Sequence, residues 1–266
     1  MIKLLDISSL EIDDIHNIWA IASDGEARKI TGNIAWSFEG NGIRTRTTFI
    51  QAFQNLGLSY VELPNFLKTG EPVQDLAGYM DSFYSMYIIR DNNHKKMAEF
   101  AKATKRPVIN AMSSEAHPCE VLTDAYYLHS KYGSLQELRI LLWGPTTNVF
   151  KSWHSLSKVL GCNLTHFCPQ EYHESGNGVT YSSSLDGKYD VVITDAWPSG
   201  FSDEKYSLSL SALAKLGSPE LLPTPPVTLG KELLFSLSSY DKFTGYSQKS
   251  LLLTVQKAII YYLLKN

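Results

Sequence analysis

The chain lacks the features that mark several classes of protein. Its 266 residues include three cysteines, an odd number, which argues against a disulfide framework and fits a reducing compartment. The net charge of −3 leaves no basic excess of the kind that binds nucleic acid. The most apolar stretch, 251–264, is shorter than a membrane span and contains Gln256 and Lys257. We therefore expect a cytoplasmic protein without nucleic-acid or membrane partners.

Two further absences narrow the expectation. The first residues carry acids where the n-region of a signal peptide needs bases, so no signal peptide is expected. Cys162 and Cys168 lack a C-x-x-C spacing, so no zinc site is expected. The overall composition, 44% hydrophobic and 19% charged, is that of an ordinary globular protein. The length suits one large domain or two of about 100–150 residues each.

Short apolar runs alternate with helical patterns along the chain. Ser8 and Glu11 indicate a capping box that opens a helix over 9–21. The strands predicted from apolar runs lie at 33–39, 60–63, 85–89, 107–110, 138–143, 163–168, 190–194 and 221–222. The helices predicted after the first lie near 49–57, 73–83, 91–104, 117–132, 148–160, 208–216 and 250–264. This order predicts an α/β fold with parallel sheets in two lobes that divide at Gly133.

Functional residue types follow several of these strands, where doubly wound sheets bind ligands. The segment 38–49, FEGNGIRTRTTF, places glycines and two arginines at a helix start, which favours an anion. A capped helix with solvated arginines is the alternative, and neither a Walker loop nor a G-x-G-x-x-G fingerprint is present. Arg90 follows another strand, where a simple surface charge is the alternative.

Two more strand ends carry candidates. His117 and Glu120 lie three residues apart at a helix start, where they can reach one pocket. The alternative is a surface histidine beside an acid that the helix dipole stabilises. Asp195 ends a strand with Ser199 four residues later, an arrangement that suits a ligand ammonium group or, alternatively, a helix cap.

Taken in order, these segments resemble the motifs of the aspartate/ornithine carbamoyltransferase family along nearly the whole chain. Gly42–Arg46 corresponds to the carbamoyl-phosphate loop S-x-R-T-R, Arg90 to the family's strand-end arginine, and His117–Glu120 to H-P-C-Q. In the second half, WGPTTNV at 143–149 is similar to G-D-x-N-N-V, and 195–201 to the ornithine-type D-x-W-x-S-M-G. The resemblance is closer to the ornithine branch, although this chain is divergent and short.

The resemblance implies two doubly wound parallel-sheet lobes. Carbamoyl phosphate would bind to residues 1–132 and the amino-acid acceptor to 133–249, while 250–266 would return as a helix to the first lobe. The implied carbamoyl-phosphate site is Gly42, Ile43, Arg44, Thr45, Arg90, His117 and Glu120, of which Arg44, Arg90, His117 and Glu120 would be catalytic. The implied acceptor site is Asn148, Asp195, Ser199, Gly200, Thr224 and Pro225. The resemblance also implies a homotrimer and no metal or organic cofactor.

The implied chemistry is transfer by orientation and electrostatics. Arg44, Thr45 and the loop amides would hold the phosphate, and Arg90 would bridge the phosphate and the carbamoyl oxygen. His117 would donate to that oxygen as it becomes an oxyanion, and Glu120 would hold the carbamoyl NH₂. On the acceptor side, Asn148 would face the α-carboxylate, while Asp195 and Ser199 would take the α-ammonium group.

Several positions depart from the family pattern. Gly42 and Ile43 replace Ser and Thr, and Glu120 replaces Gln. The family's H-C-L-P corresponds to 223–226, which places Thr224 at the thiol and the family's cis peptide between Pro225 and Pro226. Leu252 stands where ornithine enzymes have an arginine, and the short segment 169–188 leaves little room for the usual helix and strand.

The leading hypothesis is a carbamoyltransferase of amino-acid metabolism, in arginine biosynthesis, that uses ornithine or a related amino acid. No arginine lies between Phe150 and Asn266, which weighs against an acceptor with a second carboxylate. The alternative is a non-catalytic paralogue that binds a ligand or a partner, which Glu120 and Leu252 favour. A nucleotide-binding oxidoreductase would need a glycine fingerprint that this chain lacks.

Overall fold

The computed structural model describes residues 2–25, 28–176, 178–185 and 187–266. The chain forms two compact units. One comprises the residues up to Tyr126 together with Leu251–Asn266, and the other comprises Tyr127–Ser250. Each unit is built on a sheet of parallel strands, so the predicted fold class is confirmed. The units divide six residues before the predicted position, inside a helix.

The described residues form strands and helices in regular alternation. The strands are β1 Lys3–Leu4, β2 Asn33–Phe38, β3 Ser59–Glu62, β4 Met86–Arg90, β5 Val108–Met112, β6 Arg139–Trp143, β7 Asn163–Phe167, β8 Thr180–Ser182, β9 Val191–Asp195 and β10 Glu220–Thr224. The helices are α1 Ile12–Asp24, α2 Ile43–Leu56, α3 Val73–Met80, α4 His94–Ala103, α5 Pro118–Tyr132, α6 Asn148–Leu160, α7 Leu210–Lys215, α8 Ser247–Ser250 and α9 Leu252–Lys265.

The sheet of the first unit has the strand order β1-β5-β4-β2-β3. Its central strands are almost entirely buried, as apolar runs covered on both faces should be. Helix α2 ends at Gly57, whose φ of 74° is the left-handed conformation that glycine adopts at little cost. Helix α9 packs against α1 and α2, which confirms the predicted return of the carboxyl-terminal helix to the first lobe.

The sheet of the second unit has the order β10-β9-β6-β7-β8. Its core includes Trp143, Phe167 and Leu221, together with aromatic and aliphatic side chains from the loops that follow β9 and β10. The peptide bond between Pro225 and Pro226, directly after β10, is cis, as predicted. No helix among the described residues is long and apolar enough to cross a membrane.

The predicted start of the first helix is wrong, and the strands β1 and β8 were not predicted. The first helix does not begin at Ser9, because Ile7–Ser9 forms a separate 3₁₀ turn. The capping box is made by Glu11 and Asp14, whose side chains satisfy the first N–H groups of α1 reciprocally. The segment 169–188 does contain a strand, since three residues suffice to pair β8 with the edge of β7. The apolar content of that strand is too low to reveal it in the sequence.

Candidate active site

Three neighbouring strands of the first sheet end at one edge, and the predicted carbamoyl-phosphate residues follow them. β2 leads into α2, β4 ends at Arg90, and β5 leads to His117. Phe38 pairs with Arg90, and Arg90 with Met112, so these strand ends are level in the sheet. The topology therefore brings the loop of α2, Arg90 and the start of α5 to the same carboxyl edge, where such sheets bind ligands.

The start of α2 offers an arginine, a hydroxyl and backbone N–H groups. The first intrahelical bond runs from the N–H of Arg46 to the carbonyl of Gly42, so the N–H groups before it are available to an anion. The Arg44 side chain is exposed, whereas Thr45 is buried. The Arg90 guanidinium donates from Nη1 to the Thr45 hydroxyl at 2.9 Å. Arg90 thus turns toward the loop of α2.

Arg90 and Phe38 lie so close to Gly42 that a larger residue there would displace one of their side chains. A Cβ atom at position 42 would lie 2.4 Å from Cζ of Phe38, 2.8 Å from Cζ of Arg90 and 2.9 Å from Nε of Arg90. The Arg90 guanidinium also lies 5.3 Å from the centroid of the Phe38 ring, within reach of a cation–π interaction. The loss of the family's serine at position 42 therefore makes space for these two side chains.

The two arginines of the loop have different surroundings. Arg46 forms an ion pair with Glu62 and lies over the Phe38 ring, 4.6 Å from its centroid. Arg44 has no ion pair or hydrogen bond to its guanidinium among the described residues. Ile43, between Gly42 and Arg44, is exposed. Arg44 is the loop arginine that is available to a ligand.

A buried hydrogen-bond network shapes the turn before His117. The Asn110 amide donates to the Ser113 hydroxyl at 3.0 Å and to the Ala116 carbonyl at 3.3 Å. The Ser113 hydroxyl in turn accepts from the N–H of Ala116 at 3.2 Å. His94 contacts the same hydroxyl through Nδ1 at 2.8 Å. These contacts fix the residues directly before His117, which is half-buried at the start of α5.

Glu120 and Cys119 lie in the first turn of α5. Glu120 is 8% exposed, and its negative charge interacts with the Arg90 guanidinium. Burial lowers the pKa of Arg90, and Glu120 partly offsets this effect. The Cys119 thiol is buried, which raises its pKa to about 12 and leaves it protonated and unreactive at neutral pH. In the first turn of α5, the Glu120 carboxylate therefore favours the charged form of Arg90, while the Cys119 thiol stays uncharged.

The predicted acceptor residues lie at the carboxyl edge of the second sheet. Asp195 ends β9 and Thr224 ends β10, and the two are paired in register, so their side chains lie on the same face. Asn148 begins α6 after β6, behind Thr147, whose side chain caps that helix. Ser199 and Gly200 lie in the loop after β9, where Gly200 has a φ of 86°. Pro225 follows Thr224 and forms the cis bond.

Among the predicted acceptor residues, all of which the structure describes, Thr224 has a buried polar atom without a hydrogen-bond partner. Its side chain is 6% exposed, and its hydroxyl oxygen has no hydrogen-bond partner among the described residues. Thr146, in the turn before α6, also has a buried hydroxyl without a hydrogen-bond partner among the described residues. Buried hydroxyl groups are normally hydrogen-bonded, so both are suited to a bound ligand or water. Leu252, at the start of α9, is apolar and buried, as a leucine should be.

The sequence gives no sign of Glu232 as a functional residue. Its side chain is buried and accepts hydrogen bonds from the N–H of Trp197 and the N–H of Thr228. It thereby touches the loop of Asp195 and the loop that follows Thr224. The segment 227–236 matches no motif, and only the fold brings its glutamate to the strand end. No group of three or more side chains suited to a metal ion occurs in the described ranges.

A pair of buried histidines supports the turn that leads to Asn148. His166 contacts the carbonyl of Gly144 through Nε2 at 2.8 Å, and its Nδ1 lies 3.1 Å from Nε2 of His154. The carbonyl can only accept, so His166 carries its proton on Nε2 and accepts from His154. Burial lowers the pKa of His154 to about 4 and, together with the His154 charge, that of His166 to about 3.

We expect this pair to make the second unit sensitive to acid. Both pKa values lie below the ordinary 6.5, so below about pH 6.5 the unfolded chain binds more protons than the folded one. The free energy of unfolding should fall by about 2 kcal/mol per histidine between pH 7 and pH 5. Denaturant titrations at the two pH values measure this. His154→Gln should remove about half of the loss, and a loss equal to that of the wild type in this variant contradicts the assignment.

Comparison with known proteins shows similarity along nearly the whole chain. Residues 2–130 match the family model of the aspartate/ornithine carbamoyltransferase carbamoyl-P binding domain. The ornithine carbamoyltransferase of Methanopyrus kandleri is 27% identical over 300 residues, covering 97% of this chain and 95% of the relative. That of Methanocorpusculum labreanum is 28% identical over 293 residues and covers 96% of each chain.

Solved structures show the same fold over the full length. The ornithine carbamoyltransferase from Thermus thermophilus superposes with a TM-score of 0.88 at 24% identity and covers 98% of each chain. The anabolic ornithine carbamoyltransferase from Campylobacter jejuni gives a TM-score of 0.85 at 25% identity and covers 99% of each. With its motifs in order at the strand ends, this chain resembles the aspartate/ornithine carbamoyltransferase family: residues 2–130 match the carbamoyl-P binding domain, and nearly the whole chain is similar to ornithine carbamoyltransferases.

Proposed function

We propose that this protein transfers the carbamoyl group of carbamoyl phosphate to an amine of ornithine or a related amino acid. The observation that carries the proposal is the position of Arg90. Its guanidinium donates to Thr45 at the start of α2 and interacts with Glu120 at the start of α5. A guanidinium that is hydrogen-bonded at the start of a helix is suited to an acyl phosphate, which carries both a phosphate and a carbonyl group.

The first unit would bind carbamoyl phosphate. Arg44, the Thr45 hydroxyl and the loop N–H groups hold the phosphate, and Arg90 bridges it to the carbamoyl oxygen. His117 donates a hydrogen bond to that oxygen as its negative charge develops. Glu120 accepts from the carbamoyl NH₂, because an ionised carboxylate only accepts, and Arg90 balances its charge beside the phosphate. Residues 1–132 are thus proposed as the carbamoyl-phosphate domain, with α9 returned to it.

The second unit, in 133–249, would bind the acceptor. Asp195 and Ser199 take the α-ammonium group, Asn148 faces the α-carboxylate, and Thr224, with Gly200 and Pro225 beside it, lines the path of the side chain. The acceptor nitrogen attacks the carbamoyl carbon and forms the C–N bond. The C–O bond to phosphate breaks, phosphate leaves with the electron pair, and the proton lost by the attacking nitrogen passes to the departing phosphate. No step needs a metal or an organic cofactor.

The acceptor should be a diamino acid and not a dicarboxylate. Arginine is the side chain that binds a second carboxylate with a bidentate pair of hydrogen bonds, and no arginine lies in 151–266. Thr224 supplies a neutral hydroxyl with a free hydrogen-bonding position, which suits an amine. We therefore place ornithine and its close analogues ahead of aspartate.

The test is phosphate release from carbamoyl phosphate with ornithine, lysine, putrescine, 2,3-diaminopropionate or aspartate. We expect release together with a ureido product for ornithine or another diamino acid, and none above background for aspartate. If no amine is carbamoylated although carbamoyl phosphate raises the melting temperature, the protein is the non-catalytic alternative or takes an amine outside the panel. If carbamoyl phosphate neither reacts nor stabilises, the roles of Arg44 and His117 are wrong.

We further propose that the protein works as a homotrimer in the cytoplasm, in arginine biosynthesis. The three cysteines are all free and buried, which suits a reducing compartment. Light scattering on a gel-filtration column should give three times the chain mass of 29.8 kDa. A single-chain mass at micromolar concentration would contradict the trimer without affecting the proposed chemistry.

A further inference from the structure

Glu232 is a buried carboxylate at the carboxyl edge of the second sheet that the proposed chemistry does not use. Its side chain is 2% exposed, in the segment after β10. No ion pair to it occurs among the described residues. A buried carboxylate without a cation is costly unless both of its oxygens are hydrogen-bonded, and such groups add little to stability compared with apolar residues. We therefore look for the reason for Glu232 in the groups that its carboxylate holds in place.

Both oxygens of Glu232 are occupied by backbone N–H groups from different loops. Oε1 accepts from the N–H of Trp197 at 2.8 Å, in the loop between Asp195 and Ser199. Oε2 accepts from the N–H of Thr228 at 2.7 Å, in the loop that follows Thr224. These short distances are typical of hydrogen bonds to an ionised acceptor, which are about twice as strong as neutral ones.

The backbone of Glu232 is itself held in place. Its carbonyl accepts from the N–H of Leu208 at 2.9 Å, and the carbonyl of Leu208 accepts from the N–H of Leu234 at 2.9 Å. Leu208 and Leu233 are both buried in the core of the unit. The carboxylate therefore reaches from a fixed strand-like segment to the two loops.

We infer that Glu232 is a positioning residue for the amino-acid acceptor, a role that rests on the proposed function. By holding the N–H of Trp197 and the N–H of Thr228, it sets the spacing between two loops. One loop carries Asp195 and Ser199, and the other begins at Thr224. Glu232 itself touches no substrate and acts only through these loops.

The test is the isosteric variant Glu232→Gln in steady-state kinetics with both substrates. A glutamine has one acceptor oxygen, and its NH₂ group would face the N–H of Trp197 or of Thr228. We expect KM for the acceptor to rise about tenfold. KM for carbamoyl phosphate should stay within twofold, since its proposed residues lie in the first unit. Glu232→Asp keeps the charge on a shorter side chain. Its KM for the acceptor should lie between those of the wild type and Glu232→Gln.

The matched control is Glu220→Gln. Glu220 is also a buried glutamate of the second unit, but it begins β10 at the opposite end and binds Tyr127 and Lys131. Its loss should lower the melting temperature and leave KM for the acceptor unchanged. An unchanged acceptor KM in Glu232→Gln, or an equal rise in both variants, overturns the inference. A wild-type protein that carbamoylates no amine instead refutes the proposed function, and the kinetic role of Glu232 with it.

If Glu232→Gln does not fold, Glu232→Asp carries the same kinetic test. Hydrogen exchange gives a second readout. The peptides that contain Trp197 and Thr228 should exchange faster in the Glu232 variant than in the wild type, while the peptides around α6 keep their rates. Uniformly faster exchange throughout the second unit, as expected for a general loss of stability, would count against a positioning role.

Discussion

Arg90→Ala should lower kcat/KM for carbamoyl phosphate by about 10²–10³-fold, as the loss of a preorganised donor to a developing oxyanion does. Thr45 and Phe38 contact the guanidinium and Gly42 leaves space for it, so the donor is held in position without a ligand. The variant should also lose thermal stabilisation by carbamoyl phosphate. Initial rates with both substrates varied, together with melting curves, measure the two effects.

Arg46→Gln is the matched control for Arg90→Ala. Arg46 also lies over the Phe38 ring, but its charge is paired with Glu62. An exposed pair of this kind contributes about 0–1 kcal/mol, so the control should change kcat/KM by only a few-fold. Equal losses of kcat/KM in the two variants would show that the packing of arginine against the Phe38 ring matters, and not the position of the Arg90 charge. A small loss in Arg90→Ala would contradict the proposed phosphate site.

Gly42→Ser should lower kcat/KM for carbamoyl phosphate by about 30-fold, although it restores the residue that the family motif carries at this position. The new Cβ would lie 2.4 Å from the Phe38 ring and 2.8 Å from Cζ of Arg90, so one of the two must move. Overpacking of this kind costs about 2 kcal/mol, which corresponds to that loss when the displaced group is Arg90 in its proposed catalytic role. Steady-state kinetics of the variant with carbamoyl phosphate measure the change.

A second-site change and a control make the Gly42 result specific. Phe38→Leu in the Gly42→Ser background removes the nearest ring atom and should recover part of the activity. Gly78→Ser, in α3, has no heavy atom within 4 Å of its new Cβ and should behave as the wild type. Activity of Gly42→Ser at or above the wild-type level would show that Arg90 does not act from the position described. It would also show that the glycine is incidental.

The sequence predicted most strands and helices because their signals are local. Strands such as β4 and β9 are buried on both faces, so they appear as continuous apolar runs. Helix ends such as Gly57 carry their own local signal. The first helix start was misplaced by three residues because Ser8–Glu11 and Glu11–Asp14 satisfy the same spacing rule. The strand β8 was not predicted, because three residues at a sheet edge are too few to show a hydrophobic periodicity.

The sequence by itself determined the fold class and supplied the family resemblance and the candidate residues, because strand burial and strand-end motifs are local properties. Tertiary structure decided what those residues touch. The pairing of β2 with β4 places Arg90 on Thr45 and leaves no room for a side chain at Gly42. The loop after β10 brings Glu232 to the N–H of Trp197, 35 residues away. Contacts between distant segments depend on sheet order and register, which no local pattern contains.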